Sequence, residues 1–498
     1  MDTTLAKISD LRANWLRAHA DRAEQLFINN EWRHSVSGAT FRCMDPFSLA
    51  HWGHIAMAGP VDVDAAVSAA RAAFDGGAWP RTAPARRAAL LARLGELVES
   101  SIDEIARTLV FENGKTFEEM RRMTQSFASD CRFFGAMAET VHGYTVSSNL
   151  PGYASYTVRE PIGVVAAITP WNTPLGLLGW KLLPALAAGN TVVIKPSEVT
   201  PVSTLMLGDL VLEAGFPPGV VNILTGDGTT GAALVAHPGV DKIAFTGSTR
   251  TGTAIAKLAA ERHARVSLEL GGKSPNIVFE DAALEKAVAG VIGGIFGASG
   301  QSCNAGSRVL VQRAIYDEFT AALVERTRQL RTGDPLDPQT QFGPLAFRGQ
   351  YQKVCEYLSI AEAEGARLLL GGKATDSAGL FVEPTILGDV DNSWRIAREE
   401  IFGPVASLIP FDDEAEAVRI ANDTVFGLAA GLWTENLRRA HRLIPQLRAG
   451  VVWVNTYRMG GHAIPFGGYK QSGVGREMGI DALNAYTEVK SVWINHGE

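Results

Sequence analysis

From Gly163 onward the chain alternates short apolar runs with longer amphipathic stretches: GVVAAIT, NTVVIKP, VVNILTG and DKIAFTG are each followed by a segment with helical patterning. A run that is apolar at every position suits a strand buried on both faces, and such strands alternating with helices build a parallel sheet covered by helices on each side. That requirement excludes all-β and all-helical architectures. At 498 residues the chain also exceeds what one hydrophobic core sustains, so two or three domains of roughly 100–200 residues each are expected. Before this region, helices are expected over residues 61–98 and 101–139, with Asp62, Thr82 and Ser101 as caps, and short strands over residues 26–32. Residues 153–159 (YASYTVR) and 486–494 (AYTEVKSVW) alternate as strands that need a partner.

Charge and cysteine usage narrow the function classes. A net charge of −7 and a pI near 5.9 argue against a nucleic-acid or anionic-membrane partner, either of which selects a basic face. The histidines show no HExxH or other metal-ligand spacing, so no metal is expected. Cys43, Cys131, Cys303 and Cys355 are scattered without a CxxC, which suits a reducing cytosol. Residues 1–25 follow a charged helical pattern and lack the apolar centre of a signal peptide. Residues 161–180 are apolar, but Pro170, Asn172 and Pro174 prevent one membrane-spanning helix. A soluble cytoplasmic protein is expected.

Chemistry concentrates in residues 269–303. Glycines 290, 293, 294, 297, 300 and 306 surround Cys303, and no charged side chain lies between Lys286 and Arg308. Such a segment is either a tightly packed helix or a place where a substrate approaches the backbone. Its cysteine is then either a small buried hydrophobe or a nucleophile that needs help to ionise. Glu269 ends the apolar run Arg265-Val266-Ser267-Leu268, where a surface carboxylate is not expected. Apolar surroundings raise a glutamate's pKa and suit it to act as a base near neutrality.

LELGGKSPNIVF and GASGQSCNAGSR, which contain Glu269 and Cys303, resemble the two active-site signatures of the aldehyde dehydrogenase superfamily, and the resemblance runs from about Phe27 to Val492. It implies an open parallel Rossmann-like cofactor domain (residues 1–140 and 161–270), a second α/β catalytic domain (271–472) and a small β oligomerisation flap (141–160 and 483–498). Read without the resemblance, the flap strands form an intrachain edge pair; with it, they join another subunit in a dimer or a dimer-of-dimers tetramer. The resemblance further implies Cys303 as nucleophile, Glu269 as base, Asn172 of the PWN string as oxyanion donor, and Lys181 and Glu477 as a proton-relay shell around the glutamate.

The cofactor implied is NAD, with NADP disfavoured. A GxGxxG string spans residues 226–231, but the dinucleotide fingerprint also needs an acid about 20 residues further on, and Asp241 comes too early. The better site is the strand leading through Phe245 into Thr246, Gly247 and Ser248, where a serine cap opens a helix N-terminus to a pyrophosphate. The resemblance assigns Lys195, Ser197 and Glu198 to the adenosine ribose, and Glu400 and Phe402 to the nicotinamide side. Ile168, Thr169, Pro170, Trp171, Gly228 and Leu270 complete the implied cofactor set.

For the substrate, the resemblance lines an entrance tunnel with Thr173, Gly176, Leu177, Trp180, Gly297, Ser302, Asn304, Arg458, Met459, Gly460, His462 and Phe466. Small or polar side chains at several of these positions imply a wide mouth. Arg458 is either a surface charge, a contact to a neighbouring loop, or a fork that pairs with a carboxylate on the substrate. The expected substrate is thus a bulky or polar aldehyde, including a semialdehyde with a remote acid. Competing readings are a CoA-acylating dehydrogenase, which generally lacks the base; a cysteine-dependent esterase or hydrolase, which needs a nearby histidine; and an inactive relative, which would have lost Cys303 or Glu269.

Overall fold

The structure, a computed structural model, describes residues 3–376 and 379–497. Two sheets carry it. The first has eight strands in the order Gly473–Val474, Arg265–Glu269, Lys242–Thr246, Val164–Ile168, Thr191–Lys195, Val221–Ile223, Leu26–Ile28 and Glu31–Arg33. The five strands from Arg265–Glu269 to Val221–Ile223 are parallel; the antiparallel Gly473–Val474 closes one side, and the hairpin of Leu26–Ile28 and Glu31–Arg33, entered by an antiparallel strand, closes the other. The second has seven strands in the order Arg367–Leu370, Thr385–Gly388, Val405–Phe411, Arg308–Gln312, Pro275–Val278, Ala429–Trp433 and Val451–Val454, parallel except at Arg367–Leu370.

Period-two alternation explains why these strands read as unbroken apolar runs. Val165 and Ala167 enter one core, whereas Val164, Ala166 and Ile168 enter another on the opposite face of the same sheet. The second sheet divides likewise, with Ile277 and Leu310 on one face and Val278, Val309 and Val311 on the other. Residues 473–474 pair with the strand of Glu269, and Met478, Ala482, Leu483 and Tyr486 pack into a core of the first sheet. The chain thus returns to that sheet after leaving the second.

Residues 161–180, apolar yet unfit for a membrane helix, form the strand Val164–Ile168, a turn, and the helix Pro174–Ala188 with proline in its first turn. Among the described residues no helix is long and apolar enough to cross a membrane. Tyr153–Pro161 and Thr487–Asn495 pair antiparallel within the chain, and Thr145–Val146 pairs with Tyr153–Pro161 on its other side. Thr487–Asn495 is an edge strand that exposes Val489, Trp493 and Ile494.

The expected caps need correction. Asp62 is the third residue of the helix Pro60–Arg71 and accepts the Gly59 N–H, so it closes the helix start from within. Thr82 precedes the helix Pro84–Ser100 and its hydroxyl donates to the Ala78 carbonyl; Ser101 holds the cap position of Ile102–Asn113 without a side-chain cap bond. The capping box that does form is Thr116 with Glu119, at the start of Phe117–Met137.

The N-terminal helix Thr3–His19 is fixed by Arg12, whose side chain is only 5% exposed. Its guanidinium pairs with Asp45 at 2.5 Å and Asp334 at 2.5 Å and lies over the rings of Phe47 and Phe111. Trp15 stacks on Phe111 at 3.8 Å. Replacing Arg12 with Met leaves two carboxylates short of their cation, a class of loss that costs about 3–5 kcal/mol when buried. The Arg12→Met protein is expected to melt at lower temperature and to be cut within residues 3–22 under limited proteolysis, whereas Leu11→Ala, on the exposed side of the same helix, leaves both readouts unchanged.

Candidate active site

Glu269 ends the last parallel strand of the first sheet, and only residues 270–274 separate it from Pro275, which begins a strand of the second. Pro275 is paired in register with Arg308, so the segments entering these neighbouring strands run side by side. This juxtaposition brings the Glu269 turn against the Cys303 loop. A Cβ on Gly272 would lie 2.3 Å from the Cys303 carbonyl oxygen, and one on Gly300 would lie 2.1 Å from the Gly403 carbonyl oxygen. The helix Leu284–Ile295 ends before Ala298 and Ser299, both left-handed at φ 58° and 53°. Non-glycine residues hold that conformation only where their surroundings enforce it.

The Glu269 carboxylate is buried and its two oxygens have no hydrogen-bond partner among the described residues. Burial raises its pKa well above the carboxylate range; Glu477 adds to the rise, and Lys181 and Arg476 oppose it. Lys181, fully buried, donates to Glu477 and, at 2.6 Å, to the Thr246 hydroxyl. Glu477 reaches this position because its backbone pairs reciprocally with Phe466 at 2.7 Å. Burial pushes the Cys303 thiol up to about 12, with Glu269 and Glu400 adding to the effect and Arg458 opposing it. The Asn172 side-chain amide donates to the Gln301 carbonyl at 3.1 Å, which holds it against the cysteine loop.

Two cavities meet at this point, and Cys303, Asn172 and Leu177 line both. The first is a wide funnel of about 1300 Å³ bounded by Thr173, Gly176, Trp180, Ser302, Asn304, Arg458 and Phe466. Arg458, itself at φ 60°, donates to the Gly297 carbonyl at 3.2 Å and to the Ser302 hydroxyl at 3.0 Å, so it lines the funnel while binding a neighbouring loop. His462 does not join it. Its ring bonds Asp130 at 2.5 Å and Ser129 at 3.2 Å and stacks on Phe133, because the buried Asp130 carboxylate draws it to the helix Phe117–Met137.

The second cavity, a cleft of about 580 Å³, is bounded by Pro170, Trp171, Thr246, Gly247, Ser248, Leu270, Glu400 and Phe402. Ser248 caps the helix Thr249–Ala260 by accepting the Thr251 N–H, and the first-turn N–H groups of that helix lack carbonyl partners within it. Glu400 accepts the Gly272 N–H at 2.9 Å, and Trp171 meets Phe402 edge-on at 5.2 Å. Lys195 and Glu198 pair at 3.7 Å away from the cleft's lining, with Ser197 at 3.5 Å from Glu198 and Asp227 close enough to act on Lys195. Gly228 begins the helix capped by Asp227. Ile168 and Phe245 belong to the sheet core, and the buried Thr169 hydroxyl has no partner among the described residues. A helix N-terminus, two aromatic rings and a carboxylate in one cleft offer partners for phosphate, for a flat ring and for sugar hydroxyls, the parts of a dinucleotide.

Sequence reasoning missed Lys115, Glu119, Arg122, Met120 and Met123 on the funnel wall, and Gln350 and Lys353 in the cleft. The Thr116-x-x-Glu119 capping pattern was available to locate the helix start, but nothing local shows that this corner faces Cys303.

The two helix-covered parallel sheets and the cleft beside them define an α/β protein with room for a dinucleotide-sized ligand, and Cys303 lies on the cleft's lining. The sequence profile of the Aldehyde dehydrogenase family matches residues 32–492. An aldehyde dehydrogenase of Emericella nidulans is 44% identical over 476 residues, covering 95% of both chains. Retinal dehydrogenase 2 of Mus musculus is 45% identical over 474 residues, covering 94% of this chain and 91% of its own. The NAD+ complex of a Bacillus cereus aldehyde dehydrogenase superposes with a TM-score of 0.94 at 42% identity, covering 97% of this chain and 98% of that one. The chain belongs to the aldehyde dehydrogenase family, whose members are NAD(P)-dependent oxidoreductases acting on aldehydes.

Proposed function

We propose that the protein oxidises an aldehyde to its carboxylic acid through a thioester on Cys303, with NAD preferred to NADP. The observation that supports this most is the position of Cys303 at the meeting point of funnel and cleft, so that a carbonyl held on the sulfur from one side is presented to the other.

The Cys303 thiolate adds to the aldehyde carbon, and the oxygen that becomes negative is held by the Asn172 amide and the Cys303 backbone N–H. Losing one such donor typically costs about 2.7–4 kcal/mol of barrier. Bound NAD would supply the acceptor for the hydride that leaves this carbon. The sulfur then carries a thioester. Glu269, whose oxygens have no protein partner, removes a proton from the water that attacks the thioester carbon, and the carboxylic acid departs as the thiolate returns. The Lys181–Glu477 pair behind Glu269 raises or lowers its proton affinity and passes its proton outward.

Residues 1–140 and 161–270 would form the cofactor domain, 271–472 the catalytic domain, and the sheet of 145–161 and 487–495 a flap that joins copies of the chain in a dimer or tetramer. The exposed edge bearing Val489 and Trp493 supports that role. The cytoplasm is the proposed compartment, in keeping with four free cysteines. For the substrate, Lys115, Arg122 and Arg458 line the funnel against one carboxylate, Glu119, whose oxygens already accept the Ala298 and Thr116 N–H groups. This excess of positive charge supports a bulky or polar aldehyde that carries an acid.

Cys303→Ala is expected to abolish turnover, and Glu269→Gln to release one burst of NADH and then stall as thioester, as read by rapid mixing and intact mass. Because the Glu269 pKa is raised, more of it is ionised as pH climbs above the usual carboxylate range. The deacylation rate of the parent should therefore rise with pH through neutrality, and that rise should vanish in Glu269→Gln.

Cofactor preference follows from Glu198, a half-exposed carboxylate that accepts ribose hydroxyls and repels a 2′-phosphate. Catalytic efficiency with NAD should exceed that with NADP by at least about tenfold, a difference of about 1.4 kcal/mol, and Glu198→Gln should narrow the gap. Equal efficiencies in the parent would remove the basis for the assignment.

A semialdehyde should be preferred over its neutral chain-length analogue, and Arg458→Ala should raise KM for the semialdehyde by about tenfold, as expected for loss of a charge-assisted pair, while leaving KM for the neutral analogue unchanged; kcat should fall for both, because Arg458 also favours the Cys303 thiolate. Equal effects on KM for both substrates would show that Arg458 supports the loop and does not read the substrate.

A further inference from the structure

Lys115 follows Gly114, which ends the helix Ile102–Asn113 in the left-handed conformation at φ 73° and is wedged between Pro46 and Pro344. The lysine is 5% exposed, and its ammonium donates to the backbone carbonyl of Asn172. Asn172 in turn donates its side-chain amide to the Gln301 carbonyl, two residues before Cys303. Lys115 and Cys303 line the same funnel. A helix corner far from the two signatures is thereby tied, through Asn172, to the cysteine loop.

A neutral amide would serve that carbonyl as well as a lysine does, and burying an ammonium costs free energy that a purely structural contact does not need. The surroundings supply a reason for the charge. Glu269 and Glu400 both act against ionisation of Cys303, while Arg458 favours it; the groups acting on Lys115 are Glu119, Arg458 and Cys303 itself. Arg122 lines the funnel beside them.

We propose that Lys115 is a positioning residue: its ammonium fixes the Asn172 peptide beside the cysteine and lends the funnel wall a positive charge that favours the Cys303 thiolate. The inference rests on Cys303 being the nucleophile. Burial lowers the Lys115 pKa to about 8, so its contribution is present at neutral pH and fades as the medium becomes alkaline.

The test uses the full-length protein, alkylated with iodoacetamide across a pH series and quantified at the Cys303 peptide by mass spectrometry. Cys355, also partly exposed, is the internal control. Lys115→Gln retains a donor for Asn172 without the charge, and Lys115→Arg retains the charge. Cys303 alkylation near neutral pH should fall about tenfold in Lys115→Gln, which corresponds to a thiol midpoint about one pH unit higher. In the same variant, assayed with a neutral aldehyde, kcat should fall and KM change little. Lys115→Arg should alkylate at or above the parent rate and keep doing so at higher pH. A Gln variant that alkylates like the parent, or, should that variant not fold, an Arg variant whose Cys303 midpoint lies clearly above the parent's, overturns the proposal. Turnover surviving in Cys303→Ala would instead overturn the nucleophile assignment on which it rests.

Discussion

The contact on which the site depends is the approach of Gly272 to the Cys303 carbonyl, too close for any side chain. It follows from pairing Pro275 with Arg308 in register, because two parallel neighbours entered at the same level must have their preceding loops in contact. The same demand runs along the segment before the cysteine. A Cβ on Gly290 would strike the Trp433 ring, one on Gly294 the Tyr457 ring, and one on Gly300 the backbone at Gly403. The glycines thus admit aromatic rings and backbone against a helix and its exit. The uncharged stretch between Lys286 and Arg308 is both a packed helix and a loop that borders the funnel, in succession.

Charge buried at this seam needs separate explanation. A buried pair such as Lys181–Glu477 adds little to stability, since removing both ions from water offsets their attraction. Its location behind Glu269 gives it another consequence: the glutamate sits beside a like charge that is only partly neutralised, so its proton affinity depends on the state of the pair. Thr246 joins this network through its hydroxyl while its neighbours Gly247 and Ser248 border the cleft. One strand end therefore links the proposed cofactor pocket to the carboxylate.

What was legible in the sequence was what is local or periodic. The runs around Val164, Thr191, Val221 and Lys242 are strands because both faces of the sheet are buried, and the GxGxxG string lacks its acid because it belongs to a helix capped by Asp227 instead. Helix starts were misplaced where a proline at the first turn stands in for a side-chain cap, as at Pro60 and Pro84. The distant contacts were not legible. Asp130 draws His462 across 332 positions, Arg12 reaches Asp334 across 322, and Lys115 meets Asn172 across 57. None leaves a periodic trace, because each joins segments that only the tertiary fold brings together.

Arg458 shows why an observed contact does not end a functional argument. A guanidinium carries five N–H donors in a planar fork. In this structure the contacts of Arg458 are to the Gly293 and Gly297 carbonyls and the Ser302 hydroxyl, all on the segment that leads to Cys303. These are neutral acceptors, so they orient the cation without cancelling its charge. The same anchoring that makes Arg458 a loop contact also holds its planar face at the funnel wall, where less side-chain freedom is lost when an anion binds. Support of the loop and recognition of a carboxylate are therefore compatible uses of one side chain, and its left-handed backbone is the cost of placing it there.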